Sequence, residues 1–160
     1  MIPFLKLGRA GCQYIMAGGE LSDRIVLTNG CFDVLHVGHL QCLQYAKSQG
    51  GMLIVAVNDD EGVRALKGEG RPVNCLKDRM EMLAALRCVD MVVSFKGTRA
   101  TELFKVLRPD VYVKGGDYDM DTLDKGEKEA LLSWDPRPEI LFFPFKRDVS
   151  TTKILARMKG

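Results

Sequence analysis

From residue 24 onward, short apolar runs alternate with amphipathic stretches along the chain. Five apolar runs predict strands, at residues 25–28, 52–57, 91–95, 111–113 and 140–143. Five stretches have the apolar spacing of helices, at 37–48, 77–86, 101–107, 125–134 and 148–158. Strands that alternate with helices are typical of a parallel sheet covered on both faces. We therefore predict an α/β fold, a Rossmann-like, doubly wound sheet of five parallel strands with helices on both faces.

Two other parts of the chain lack this regularity. Residues 1–23 contain glycines at positions 8, 11, 18 and 19 that interrupt every helical pattern. We predict a peripheral segment there, with one helix at most, in front of a regular core at 24–158. Residues 58–74 are polar and contain glycines, and they predict a loop. The 160 residues suffice for one domain with a buried core.

Composition excludes several classes of protein. The 23 basic and 21 acidic residues give a net charge of +2, which argues against a general nucleic-acid coat protein. No apolar run approaches the roughly 20 residues of a membrane-spanning helix. The first residues lack the order of a secretion signal, so we expect a cytoplasmic protein without a membrane partner. Five cysteines without a Cys-x-x-Cys pair indicate reduced thiols rather than a disulfide scaffold.

Polar residues follow the predicted strands at the points where these strands end. Thr28 to Asp33 follow the first strand, Asn58 to Asp60 the second, and Lys114 to Asp117 the fourth. Ser150, Thr151 and Thr152 lie a few residues beyond the fifth. Ligands of open parallel sheets bind at the carboxyl ends of the strands. These loops therefore predict one binding site at that edge.

Both histidines of the chain, His36 and His39, lie in the turn between the first strand and its helix. They are three residues apart and so share one face of the helix start, with Gly38 between them. Gly30 allows close approach of the backbone to a ligand, and the N–H groups at a helix start suit phosphate. Two imidazoles there could stabilise negative charge on a phosphoryl group in transfer.

Two other interpretations of the histidines remain open at this point. In the first, both side chains are structural. In the second, they bind zinc together with Cys31 and Cys42, because structural zinc takes four nitrogen or sulfur ligands. Against zinc, Cys42 lies where the helix should pack on the sheet.

The stretch Thr28-Asn29-Gly30-Cys31-Phe32-Asp33-Val34-Leu35-His36-Val37-Gly38-His39 resembles the signature of the cytidylyltransferase-like nucleotidyltransferases, whose hallmark is His-x-Gly-His. Further stretches are similar to one branch, the adenylyltransferase domain of bacterial ADP-heptose synthases. They comprise residues 56–60, 67–74, 78–80, 89–95, 109–118 and 150–152. The resemblance covers about 24–158, so we expect residues 1–160 to form a single nucleotidyltransferase domain.

The resemblance implies a reaction and its substrates. AMP would pass from ATP to a sugar 1-phosphate, D-glycero-D-manno-heptose 1-phosphate, to give ADP-heptose and pyrophosphate for lipopolysaccharide core synthesis. The acceptor oxygen would attack the α-phosphorus in line, without a covalent enzyme intermediate. A separate sugar kinase would supply the acceptor, and a homodimer is expected from relatives. Mg²⁺ would bridge the phosphates, with Asp33 and Asp117 as candidates to touch it directly or through water.

The resemblance also implies roles for individual residues. The catalytic residues would be His36, His39 and Lys67. The nucleotide-binding residues would be Thr28, Asn29, Gly30, Cys31, Phe32, Asp33, Gly38, Asn58, Arg79, Lys114, Gly115, Gly116, Asp117, Ser150, Thr151 and Thr152. The alternatives are a solvated loop lysine at 67, a strand-ending turn at 114–117 and a helix N-cap at 150–152.

The likeness is weak between residues 119 and 145, and Arg147-Asp148-Val149 stands where many relatives have a glycine. These departures leave the acceptor open. Rival enzymes are a cytidylyltransferase for glycerol 3-phosphate or another phosphoalcohol, and an FMN adenylyltransferase. Rivals of other classes are a nucleotide-binding regulatory module and a zinc-stabilised binding domain. Lys114 to Tyr118 favours the heptose branch over the rival enzymes.

Overall fold

The computed structural model describes residues 4–7, 12–16, 24–145 and 150–158. Within these ranges the chain forms one sheet with helices on both faces. The strands are β1 (Phe4–Leu7), β2 (Cys12–Met16), β3 (Ile25–Gly30), β4 (Met52–Asn58), β5 (Met91–Phe95), β6 (Val111–Gly115) and β7 (Glu139–Phe143). The helices are α1 (Val37–Ser48), α2 (Asp60–Lys67), α3 (Leu76–Ala84), α4 (Thr101–Leu107), α5 (Lys125–Leu131) and α6 (Thr151–Met158).

The five strands from β3 to β7 are parallel and lie in the order β5-β4-β3-β6-β7. This confirms the predicted five-stranded Rossmann-like sheet. The chain leaves β3 for β4 on one side and later returns to β6 on the other. A crevice forms where such connections diverge, at the carboxyl ends of β3 and β6, and it is the usual ligand site of this architecture.

Before residue 24, the part of the chain that the structure describes forms strands, where the sequence allowed one helix at most. β1 and β2 form an antiparallel pair there, and β2 extends the sheet by pairing antiparallel with β5. The edge of β5 would otherwise leave a row of backbone N–H and C=O groups unpaired. The sheet therefore has seven strands within the described ranges.

The two faces of the sheet bury two separate apolar clusters. Val26 and Leu53 pack with α1 and α3, whereas their neighbours Leu27 and Ile54 pack with α4 and α5. Successive strand residues point to opposite faces, so an unbroken apolar run is what a strand covered on both sides requires. Every residue of β4 is buried.

Within the described ranges, five of the six helices lie where the sequence predicts a helix, and the sixth, α2, was not predicted. α1 and α4 have the predicted bounds, and α3, α5 and α6 differ at their ends. α2 occupies part of the predicted loop at 58–74. It begins because the Asp59 carboxylate accepts hydrogen bonds from the N–H groups of Gly62 and Gly97 (2.8 and 3.1 Å). None of the helices in the described ranges is both long and apolar enough to cross a membrane.

Candidate active site

The carboxyl ends of β3, β4 and β6 open into a cavity of about 630 Å³. Sixteen of the nineteen residues predicted for the site line it. They are Thr28, Asn29, Gly30, Cys31, Phe32, Asp33, His36, His39, Asn58, Lys67, Lys114, Gly115, Gly116, Ser150, Thr151 and Thr152. Gly38, Arg79 and Asp117 are absent from the lining. The structure thus brings together loops that are far apart in sequence.

His36 and His39 stack on each other at the start of α1. Their ring centroids are 3.8 Å apart and the ring planes differ by 24°. His36 is the N-cap, and its Nδ1 accepts a hydrogen bond from the Gly38 N–H at 3.1 Å. Because an accepting Nδ1 carries no proton, Nε2 of neutral His36 is the donor. A Cβ at position 38 would lie 3.0 Å from the His36 ring, so Gly38 shapes the site without lining it.

Burial keeps both imidazoles neutral near pH 7. Burial, together with the neighbouring His36, lowers the pKa of His39 to about 3, and burial also lowers the pKa of His36. Phe145 contributes to this burial, with its ring perpendicular to both imidazoles at 6.0 and 6.2 Å. A phosphate that enters the cavity brings negative charge, which favours the protonated form of each ring. The pair can therefore donate hydrogen bonds when neutral and take up charge as a ligand binds.

Arg79 lies behind the cavity wall, where its side chain is fully buried. Its guanidinium donates to the carbonyl oxygens of Cys31, Asn58 and Asn74 at 2.6, 2.8 and 3.0 Å, and to Asp60 at 2.8 Å. These bonds join the loops after β3 and β4 to the start of α3. In this position Arg79 holds the loops in place and is absent from the cavity lining, so its predicted contact with the nucleotide stays a prediction.

Asp33 anchors the loop before α3. Its carboxylate accepts hydrogen bonds from the N–H groups of Val73 and Asn74 (2.8 and 2.9 Å) and from Arg71 Nε. Burial opposes ionisation of Asp33, but the bonds from Asn74, Val73 and Arg71 outweigh it and lower its pKa. The Asp33 side chain is 1% exposed, and these donors occupy both of its oxygens.

The two carboxylates predicted to touch Mg²⁺ therefore do not fit that role. Asp33 is committed to the loop, and Asp117 is exposed and outside the cavity lining. Among the described residues, no three histidine, cysteine or acidic side chains are grouped so that they could hold a metal ion. Magnesium takes few protein ligands when it binds nucleotide phosphates, so it would enter with the nucleotide as part of the substrate.

The same geometry contradicts the zinc interpretation of the two histidines. Cys42 packs against the end of β6, where a Cβ on Gly115 would lie 2.6 Å from its sulfur. Burial raises the pKa of the Cys42 thiol to about 12. Burial also raises the pKa of the Cys31 thiol, despite the nearby cations of Lys67, Arg79 and Arg71. Both thiols therefore remain protonated, so neither is a ready metal ligand or nucleophile.

The N-terminus of α6 forms another part of the wall. The Ser150 hydroxyl accepts a hydrogen bond from the Lys153 N–H at 3.2 Å, as an N-cap does. The Thr151 hydroxyl donates to the Val34 carbonyl at 3.0 Å and so ties α6 to the loop after β3. The residues at the start of α6 therefore cap the helix and also line the cavity, since all three residues from 150 to 152 belong to the cavity wall.

A buried polar network closes the bottom of the cavity. The Asn29 amide oxygen accepts from the Tyr112 hydroxyl at 2.6 Å and from Lys114 Nζ at 2.9 Å. The Asn29 amide nitrogen donates to Glu127 at 2.8 Å. The network fixes the Asn29 amide and holds the Lys114 ammonium 5.3 Å from the Tyr118 ring centroid.

The cytidylyltransferase-like family model matches residues 27–157, which include every loop of the cavity described above. The chain belongs to the cytidylyltransferase-like family. A D-beta-D-heptose 1-phosphate adenylyltransferase from Bordetella bronchiseptica is 48% identical over 96% of this chain and 93% of its own length. The bifunctional protein HldE of Alcanivorax borkumensis is 47% identical over 86% of this chain, which corresponds to 28% of HldE. This chain therefore spans little more than a quarter of that relative.

A solved structure supports the same fold. A lipopolysaccharide core biosynthesis protein from Thermoplasma volcanium GSS1 superposes with a TM-score of 0.63 over 78% of this chain and 98% of its own. The sequence identity is 23%, so this likeness concerns the fold alone.

Several cavity residues of this family member were not predicted from its sequence. Thr98 and Arg99 follow β5, and Asp124 and Glu127 lie at the start of α5. Arg71 and Phe145 also line the cavity. Arg71 carried a signal, since it lies in one of the family-like stretches. The polar residues among the others had no such signal, because a charged or polar residue in a loop or at a helix start is usually solvated, and Phe145 ends a stretch in which the family likeness is weak.

Proposed function

We propose that this chain is an adenylyltransferase that transfers AMP from ATP to D-glycero-D-manno-heptose 1-phosphate and gives ADP-heptose and pyrophosphate. The observation that carries the proposal is the stacked pair of His36 and His39 at the start of α1, in the crevice between β3 and β6. The identity of 48% to a heptose 1-phosphate adenylyltransferase over almost the whole chain supports the choice of substrates.

The site supplies what in-line phosphoryl chemistry needs, which is mainly positioning and charge stabilisation. N–H groups at the start of α1 and the Nε2–H of His36 would donate to phosphate oxygens. Charge that builds up on the leaving pyrophosphate would favour protonation of the imidazole pair. Lys67, at the end of α2, is exposed and lines the cavity, so its flexible side chain could reach the phosphates.

The proposal needs no covalent intermediate. The acceptor phosphate oxygen attacks the α-phosphorus, a new P–O bond forms, and the bond to pyrophosphate breaks. Cys31 and Cys42 both line the cavity, and burial raises the pKa of each thiol, so both stay protonated and are poor nucleophiles. Magnesium would accompany ATP as its phosphate counter-ion.

We also propose the setting of the reaction. A kinase that phosphorylates the anomeric oxygen of the sugar must supply the acceptor, because this reaction consumes a sugar 1-phosphate. Four cysteines are free thiols, which suits the cytoplasm: Cys31, Cys42, Cys75 and Cys88. A homodimer is the proposed assembly, by analogy with the family.

A substrate panel tests the proposal. Purified protein with Mg²⁺ is incubated with ATP or CTP and with heptose 1-phosphate (either anomer), glycerol 3-phosphate or FMN, and pyrophosphate release is measured. We expect release with ATP and heptose 1-phosphate. Release only with CTP and glycerol 3-phosphate, or only with ATP and FMN, would replace the proposed substrates by those of the corresponding family branch. No release from any pair would support a binding module instead.

A further inference from the structure

The cavity has a second wall, on the opposite face of the sheet from the histidines. α1 packs in one apolar cluster, whereas α4 and α5 pack in the other, so the starts of α1 and α5 flank the sheet edge from its two sides. Thr98 and Arg99, after β5, and Asp124 and Glu127, at the start of α5, form this wall. The site described above assigns them no ligand.

Glu127 is the central residue of this wall. Its side chain is 4% exposed, yet it lines the cavity. One carboxylate oxygen, Oε1, accepts from the Asn29 amide at 2.8 Å and from the Ala100 N–H at 3.2 Å. The other oxygen, Oε2, lies 3.5 Å from Lys114 Nζ, beyond the usual length of an N–H···O bond. A buried carboxylate oxygen with such a long contact has capacity for a further donor.

The residues around Glu127 alternate between donors and acceptors. Arg99 Nε donates to Asp124 at 3.0 Å, and Asp124 accepts the Glu127 N–H at 3.1 Å. Thr98 adds an exposed hydroxyl. These four side chains offer no flat apolar surface of the kind that a purine base stacks on, and their two carboxylates would repel a phosphate. Hydroxyl groups suit such a wall, because each one both donates and accepts.

We propose that Glu127, with Thr98 and Arg99, binds the hydroxyl groups of the acceptor sugar. The inference rests on the proposed function, in which the acceptor is a polyhydroxylated sugar 1-phosphate. In-line transfer puts the acceptor and the leaving pyrophosphate on opposite sides of the α-phosphorus. With pyrophosphate at the start of α1, the acceptor lies away from that helix, towards the wall of Glu127. Glu127 is then a specificity residue for the sugar.

Calorimetric titration with ADP and with ADP-heptose separates the sugar from the nucleotide. We expect the wild-type protein to bind ADP-heptose more tightly than ADP. Glu127→Gln should weaken ADP-heptose binding at least about tenfold, the scale of one hydrogen bond to a charged group, and ADP binding much less, because the glutamine carbonyl oxygen can still accept from Asn29. Thr98→Val should weaken ADP-heptose binding severalfold and keeps the inference testable if Glu127→Gln does not fold. Glu129→Gln, on the exposed side of the same helix, is the matched control and should behave as wild type.

Three results would overturn the inference. Equal weakening of ADP and ADP-heptose in Glu127→Gln would make Glu127 a structural or nucleotide-binding residue. Suppose that the wild type prefers ADP-heptose to ADP and that both Glu127→Gln and Thr98→Val show the same full preference. In that case the sugar binds elsewhere, and the proposed function stands. If the wild type binds ADP and ADP-heptose equally, the proposed acceptor fails as well, and the panel of acceptors above would show it independently.

Discussion

Replacing Arg79 by methionine removes the guanidinium that joins three loops of the cavity and keeps an apolar side chain of similar length. Four hydrogen bonds disappear, three of them to backbone carbonyls and one to Asp60. The Asp60 side chain is 40% exposed and can return to water, so most of the cost falls on the carbonyls. Each buried carbonyl left without a donor costs about 1–3 kcal/mol.

We therefore expect Arg79→Met to lower the free energy of unfolding by at least about 3 kcal/mol, a large share of the 5–15 kcal/mol of a typical domain. Urea unfolding followed by circular dichroism measures this change. Arg64→Met is the matched control, because Arg64 is exposed on α2 and outside the cavity lining, and should leave stability nearly unchanged. The same loops carry Cys31 and Asn58, so kcat should fall and the KM for both substrates should rise.

One outcome would refute this reasoning. If Arg79→Met unfolds at the wild-type urea concentration and raises only the KM for ATP, the guanidinium contacts the nucleotide. Arg79 would then have the direct role that the sequence-based prediction gave it, and the loops would owe their positions to other bonds.

Three further predictions concern charge and packing around the cavity. Asp33→Asn should destabilise the protein by about 1–3 kcal/mol at pH 7, because the loop donors lose their ionised acceptor. In urea titrations the difference in stability from wild type should vanish as the pH falls through the lowered pKa of Asp33. A difference that does not change with pH would contradict this role of the carboxylate. His39 stays neutral in the folded protein down to about pH 3, whereas an unfolded histidine takes up a proton below about pH 6.5, so His39 should cost the wild type about 2 kcal/mol of stability between pH 7 and 5. The variant His39→Asn should not lose this stability between pH 7 and 5. If the stability of both proteins depends on pH in the same way, His39 does not have the lowered pKa. Gly115→Ala should destabilise by about 1–3 kcal/mol through its contact with the Cys42 sulfur, and Cys42→Ala in the same chain should restore stability; thermal melts that show no rescue would locate the strain elsewhere.

The sequence predicts the parallel sheet because burial on both faces leaves a pattern that few other structures share. The first six residues of β4 form one apolar run before Asn58, and all seven residues of the strand are buried. His36 and His39 could be placed for a similar reason, since a strand followed by a helix fixes the turn between them. Local rules thus account for the loops after β3, β4 and β6 that line the cavity.

Features that depend on distant contacts were beyond such rules. The bond from Arg71 to Asp33, and those of Arg79 to Cys31, Asn58 and Asp60, join residues more than fifteen positions apart. The local sequence around these residues does not identify their partners. In its local sequence Glu127 is an ordinary acidic residue in the first turn of a helix, although its carboxylate accepts a hydrogen bond from Asn29 across the sheet edge. α2 was missed although Asp59 and the acidic residues that follow it are a helix-start pattern, because the segment holds few apolar residues.

The first strands show the same limit at the other end of the chain. β2 forms because β5 has a free edge, and nothing within residues 12–16 identifies that partner. The glycines of the segment interrupt a helical pattern, but a short strand can form between such glycines. Whether a segment pairs with a sheet edge depends on the rest of the sheet. The hydrophobic pattern of the segment itself does not contain this information.

The most direct test of the account compares wild type and His39→Ala in one assay, pyrophosphate release from ATP and heptose 1-phosphate with Mg²⁺. Nδ1 of His39 is buried and has no hydrogen-bond partner among the described residues. Removal of the imidazole therefore breaks no hydrogen bond of Nδ1 and should leave folding nearly intact. The account predicts ATP-dependent release by wild type and a turnover lower by about 10²–10³ in the variant, the scale of one preorganised transition-state donor, with an unchanged melting temperature. Wild-type turnover in folded His39→Ala would contradict the central role of the histidine pair.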